Sequence, residues 1–105
     1  MTYEVEIYSD EKGNSPFEEW LESIAAGDGL RIRKRLLRIE DGNLGDHKAV
    51  GEGVFELRFF FGPGYRVYFG FNGLTVVLLL LGGNKSSQTK DIARAKEFWK
   101  EVQNG

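Results

Sequence analysis

The chain reads as an α+β fold: a twisted, largely antiparallel four-stranded sheet packed with helices, in the order β-α-α-β-β-β-α. Three observations predict it. Gly51–Phe71 (GEGVFELRFFFGPGYRVYFGF) places two aromatic, β-rich runs around Gly62-Pro63-Gly64, and Gly/Pro clusters between such runs make hairpin turns. Three stretches carry apolar residues at helical spacing: Phe17–Ile24, Leu30–Glu40 and Gln88–Val102. Val76–Leu81 is an unbroken apolar run, as in a strand covered on both faces.

Taken in order, Tyr3–Tyr8 alternates, with Tyr3, Val5 and Ile7 to one side and Glu4 and Glu6 to the other. That is a half-buried strand. Asp10–Asn14 is a polar loop. Ser15, Pro16 and Glu18 form a helix start, with Ser at the cap and Pro at the first helical position. Phe17, Trp20, Leu21 and Ile24 then face the core, and Gly27-Asp28-Gly29 is predicted to end this helix. The second helix, from about Leu30 to Glu40, has an apolar stripe of Ile32, Leu36 and Ile39 with Leu37 beside it.

Asp41–Gly53 reads as a Gly-rich loop before the hairpin. On the hairpin, Phe55, Leu57, Phe59 and Phe61 share a face with Tyr65, Val67, Phe69 and Phe71, and Glu56, Arg58, Arg66 and Tyr68 share the other. With Pro63 at the tip, Arg58 falls opposite Tyr68 and Arg66 opposite Phe60. Asn72-Gly73 predicts a tight two-residue turn into the strand Leu74–Leu81. Gly82–Ser87 reads as a loop with Ser86 or Ser87 capping the last helix, whose stripe is Ile92, Ala95, Trp99 and Val102 with Phe98 at its edge.

The chain's 105 residues suit one domain, 1–105. It has no cysteine and one histidine, which excludes a disulfide framework, a thiolate zinc site and a histidine-rich metal centre. No metal or cofactor is expected. The N-terminus lacks a signal-peptide pattern and the six-residue apolar run is too short to span a bilayer, so the expectation is a soluble cytoplasmic protein with no membrane partner. Charge is uneven: residues 1–28 hold eight acids and one base, and the remainder is net basic. A polarised domain can turn its basic side to nucleic acid or to an acidic protein segment.

Three constellations could carry chemistry. Five bases within Arg31–Arg38 could contact phosphates or form a solvated helix face. On the hairpin, Arg58 and Arg66 could hold a phosphate through their forked donors or pair across the strands with Glu56. Tyr65 and Tyr68 flank Arg66, where a ring could stack on a base. Gly82-Gly83-Asn84-Lys85-Ser86-Ser87 lies between a strand and a helix, a position that favours anions. It lacks P-loop spacing. Lys85 is a candidate anion ligand or proton-transfer group. His47 sits in a polar loop with no ligand partners around it.

The segments GDHKAVGEGVFELRFFFGPGYRVYF and LLLLGGNKSSQTKDIARAKEFW resemble the RelE/ParE toxin superfamily of bacterial type II toxin–antitoxin modules. Within it they resemble the HigB-like, phage-derived addiction-module killer proteins. The resemblance covers most of the chain and implies the β-α-α-β-β-β-α fold. It further implies a toxin neutralised by a cognate antitoxin, usually a helix-turn-helix DNA-binding protein. Many RelE-like members cut mRNA on the ribosome without metal, by attack of the 2′-OH on the adjacent phosphate. On that pattern Arg66 falls on the phosphate-contacting arginine of the middle strand, Arg58 on a basic position of the preceding strand, and Lys85 on the basic position after the last strand. These three are the candidate catalytic residues. Tyr68, Tyr65, Arg35, Lys48 and Lys90 are the candidate substrate-binding residues. Lys85 is followed by Ser86 and Ser87, where ribosome-dependent members often carry an Arg, and no Tyr or His stands near the C-terminus. Either Lys85, Tyr68 or Glu56 then supplies proton transfer, or catalysis rests mostly on positioning and charge, or the chain does not cut RNA. The alternative is the ParE branch, which has the same fold and inhibits DNA gyrase without nuclease residues.

Overall fold

A computed structural model describes residues 2–105. Its elements are β1 (Glu4–Ile7), α1 (Pro16–Ser23), α2 (Ala26–Glu40), β2 (His47–Gly51), β3 (Val54–Arg58), β4 (Tyr65–Phe71), β5 (Val76–Asn84), a 3₁₀ turn at Lys85–Ser87 and α3 (Gln88–Asn104). The sheet has five strands in the order β1-β5-β4-β3-β2. β1 runs parallel to β5, and all other pairs are antiparallel. The α+β architecture is the expected one, with one strand more.

The extra strand is β2, which lies in the stretch read as a Gly-rich loop. Its residues are short of apolar character because β2 is an edge strand and largely exposed, so little burial pattern marks it. The turn into β3 is Glu52-Gly53, with φ of 55° and 84°. Two successive left-handed residues match the right-handed twist of a two-residue hairpin.

Helices α1 and α2 cover one face of the sheet. Phe17, Leu21, Ile32 and Ile39 pack there against Leu57, Val67, Phe69, Val77 and Leu79. Ser15 caps α1 by accepting from the Glu18 N–H at 3.2 Å, as its position predicts. Gly27-Asp28-Gly29 does not end α1. The chain turns at Ile24-Ala25, and those three residues form the first turn of α2. Asp28 there sits at the positive end of the helix dipole, and Gly29 packs closely on Leu21.

Helix α3 covers the other face with Ala95 and Trp99, against Val54, Tyr68, Leu78, Leu80 and Leu81, and Ile92, Phe98 and Val102 pack at its margin. The 3₁₀ turn that leads into it is capped by Asn84. The Asn84 side chain accepts from the Ser86 and Ser87 N–H groups, and Ser87 Oγ accepts from the Asn84 N–H. Ser87, the reciprocal partner in that capping box, is itself the N-cap residue of α3, one of the two expected positions, and among the described residues it makes no side-chain cap hydrogen bond there.

Two turns differ from expectation. Asn72-Gly73 does not make a two-residue turn: the Asn72 N–H donates to the Val76 carbonyl at 2.9 Å, enclosing Gly73-Leu74-Thr75. The β3–β4 loop is wider as well. Phe59 N–H donates to the Tyr65 carbonyl at 3.1 Å, so Arg58 lies opposite Arg66, and Glu56 opposite Tyr68. The two-residue register shift follows from the turn at Phe61–Gly64, closed by Gly64 N–H to Phe61 C=O at 3.2 Å, with Phe60 left outside the ladder.

A bulge in β5 re-aims the end of that strand. Tyr68 pairs with Leu81, but Phe69 pairs with Leu79. The extra residue, Leu80, shifts the alternation of β5. Gly82-Gly83 is strand rather than loop, with Gly82 under Trp20 of α1 and Gly83 under Asp91 of α3. A Cβ on either glycine would stand 2.0 Å from the Trp20 ring or 1.8 Å from Asp91 Oδ2.

Candidate functional site

The register brings the two hairpin arginines together. Arg66 lies between Arg58 on β3 and Gly83 on β5, at the end of the sheet where α3 begins. Lys85 joins them: a Cβ on Gly64 would lie 3.4 Å from Lys85 Cβ and 3.6 Å from Arg66 Nη1. Arg66, Arg58 and Lys85 thus share one corner, although Lys85 follows Arg66 by 19 residues and Arg58 by 27 in sequence.

Each arginine has an acid. Arg58 Nη2 donates to Asp46 Oδ1 at 3.0 Å. That hydrogen bond holds the Asp46 carboxyl below its ordinary value, and the same carboxylate raises the Arg58 guanidinium. Arg66 Nε lies 3.7 Å from Glu56 Oε1. Glu56 is fully buried, and its second oxygen accepts from Gln88 Nε2 at 2.7 Å. Arg66 Nη1 donates to the Gly64 and Tyr65 carbonyls at 3.1 and 3.2 Å. Among the described residues Nη2 takes no partner, and it is not among the buried unpaired atoms. The guanidinium is therefore clamped on two sides and presents one edge outward, with the side chain 12% exposed.

Beneath this corner is a buried polar layer. Tyr68 is fully buried, and burial followed by the Glu56 charge raises its phenol above the ordinary tyrosine value. Among the described residues its hydroxyl, Glu56 Oε1 and Arg66 Nε have no hydrogen-bond partner. Asp91, buried in the first turn of α3, accepts from Ser87 Oγ at 2.5 Å.

The other candidate residues lie around or away from the corner. Tyr65 faces the α1–α2 side, packed edge-on against Trp20 and Phe61, with its hydroxyl 2.7 Å from Asp28. That hydrogen bond, then burial, raises its phenol. Neither Tyr65 nor Tyr68 offers a ring to solvent, because adjacent β4 positions point into opposite cores. Arg35 is half-buried over Phe59 and donates to the carbonyls of Arg58, Leu44 and Asp46. It holds the loop that carries Asp46, and desolvation lowers its basicity. Lys48 is exposed on β2 opposite Glu56, and among the described residues it makes no ion pair. Lys90 is exposed on α3, and among the described residues it makes no ion pair.

The chain is 42% identical over 87 residues to an uncharacterized protein of Haemophilus influenzae, a match covering 82% of this chain and 88% of that one. The chain belongs to the family of that protein. No family model matches it. Its structure superposes on that of the E. coli toxin RelE, a double arginine-to-alanine mutant in the free state, with a TM-score of 0.68 over 92% of this chain and 97% of that one, at 15% identity. The chain therefore has the RelE fold.

On this fold, three residues of the corner escaped the sequence reading. Asp46 lies in the stretch read as a Gly-rich loop, and Gln88 and Asp91 lie in the first turn of the last helix, where nothing singles them out. Only a spacing signal was available for the last two: they are three apart and so share a helix face. Among the described residues no group of His, Cys, Asp and Glu is arranged to hold a metal. Among the described residues no helix is long and apolar enough to cross a membrane.

Proposed function

We propose that the chain is the toxin of a toxin–antitoxin module and acts on RNA at the Arg66–Arg58–Lys85 corner. The supporting observation is the clamped guanidinium of Arg66, held by two carbonyls and Glu56 with one edge free. A donor fixed before the substrate arrives stabilises developing phosphate charge without reorganising. The RelE fold agrees with this reading, and we extend it to the HigB-like branch.

The reaction would be transesterification. The 2′-oxygen attacks the adjacent phosphorus, the P–O5′ bond breaks, the 2′ proton passes to a base and a proton is delivered to O5′. The products are a 2′,3′-cyclic phosphate and a 5′-hydroxyl. Arg66 and Arg58 stabilise the phosphorane oxygens. Lys85 is exposed at the corner and is the group we assign to move a proton, since Glu56 and Tyr68 are sealed beneath it and Asp46 is paired with Arg58. The substrate is mRNA, engaged on the ribosome in the cytoplasm, and a helix-turn-helix antitoxin neutralises the chain by covering this corner.

A second reading has one observation in its favour. Both arginines already carry acids, which suits a non-enzymatic toxin that binds DNA gyrase. Expression without antitoxin separates the two readings. Cleavage yields new mRNA 5′ ends that Arg66→Ala reduces by about 10²–10³-fold, with the variant folded and still bound by antitoxin. Intact mRNA with blocked supercoiling selects the gyrase reading.

A further inference from the structure

Phe60 stands 81% exposed at the start of the β3–β4 loop, two residues beyond Arg58. It borders a groove of about 380 Å³ whose other wall is α2, with Arg31, Lys34 and Arg38 along it and no acidic residue in its lining. The flanking rings are already taken. Arg31 lies 3.8 Å from the centre of Phe61, and Arg35 lies 4.6 Å from the centre of Phe59. Phe60 alone has a free face.

We propose that this groove binds single-stranded RNA, with one base stacked on Phe60 and neighbouring phosphates on Lys34 and Arg38. The proposal rests on the reading that the chain acts on RNA, and it names a second contact surface outside the Arg66 corner. Two features favour RNA over an acidic peptide. A peptide anchor fills an apolar hole, and here the apolar group protrudes while the adjacent rings are covered by guanidiniums. An exposed ring among bases instead matches the stacking platforms of single-strand binders, which accept any base because each has a π-face. Phe60 and Arg58 also sit at the same end of the sheet, so a strand held at the corner can continue over the loop onto α2.

The test uses fluorescence anisotropy with a short, labelled 2′-O-methyl oligoribonucleotide, which lacks the attacking 2′-OH. Phe60→Ala should weaken binding about tenfold, and Phe60→Trp should retain it. Lys34→Gln and Arg38→Gln should each reduce the salt slope by about 0.7. Leu74→Ala, at an equally exposed apolar residue (89%) on the opposite end of the sheet, should bind as the parent does. Thermal unfolding of Phe60→Ala should be unchanged, because the ring buries little. Parent-like binding by Phe60→Ala overturns the groove and leaves the Arg66 reading standing. So does failure of the oligonucleotide to bind while Arg66-dependent mRNA cleavage persists in cells. Phe60-dependent binding of a polyglutamate peptide in place of the oligonucleotide overturns it in favour of a peptide site. Loss of Arg66-dependent cleavage with Phe60-dependent binding intact supports the groove and removes the corner chemistry.

Discussion

Glu56 lies wholly buried, 3.7 Å from Arg66 Nε, and its other oxygen is held by Gln88. The carboxylate therefore links the first turn of α3 to the arginine at the centre of the site. A buried charge of this kind is tolerable only with a partner, so each member of the pair constrains the other.

Removing the carboxylate should cost more than a surface change. Glu56→Ala leaves the Gln88 amide and Arg66 Nε facing a void, and denaturant unfolding should show a loss of about 2–4 kcal/mol. Glu56→Gln keeps the shape and should lose less. It also removes the negative charge beside Arg66, so the variant should bind the oligonucleotide more tightly than the parent. Weaker binding by a fully folded Glu56→Gln would show that the carboxylate's orienting effect on the guanidinium outweighs its charge.

Asp46 provides a pH test of the second arginine. Its folded carboxyl titrates below its unfolded value, chiefly through the Arg58 hydrogen bond. A depressed carboxyl adds stability that is present above the unfolded value and is lost as pH falls through the folded one. Following the Asp46 carboxyl by NMR, Arg58→Ala should move its titration upward, and Asp46→Asn should remove that share of the acid-side loss of stability. An unmoved titration in Arg58→Ala would mean that the pair is not formed in solution.

Gly82 tests the close approach of α1. A Cβ there would stand 2.0 Å from the Trp20 ring, and the backbone is not left-handed, so the constraint is purely steric. Gly82→Ala should destabilise the protein by about 1–3 kcal/mol in urea unfolding. Combining it with Trp20→Leu should recover part of that, giving a non-additive cycle for two residues in contact. Strict additivity would place the Trp20 ring elsewhere.

Most of the fold is legible in local pattern. Alternation assigns Phe55, Leu57, Val67 and Phe69 to one core and Glu56, Arg58, Arg66 and Tyr68 to the other face. Helical spacing picks out Phe17, Leu21, Ile32, Ile39, Ala95 and Trp99. These properties follow from the two-residue and 3.6-residue repeats of the chain itself, so they need no knowledge of what lies across from them. That Arg58 and Arg66 share one face is legible in the same way.

What the tertiary structure alone decided concerns contacts between distant segments. Register placed Arg58 opposite Arg66 rather than opposite Tyr68, because the β3–β4 turn took a wider form than its Gly-Pro-Gly centre suggested. The Leu80 bulge turned Gly83 toward Arg66 and Gly82 toward Trp20. The loop held by Arg35 brought Asp46 to Arg58, and α3 brought Gln88 to Glu56. Burial then closed Tyr68 and Glu56 away from solvent and left Phe60 outside. A side chain's face is set by backbone geometry within a few residues. Its partner and its exposure are set by which segments close over it, and that closure is a property of the whole chain.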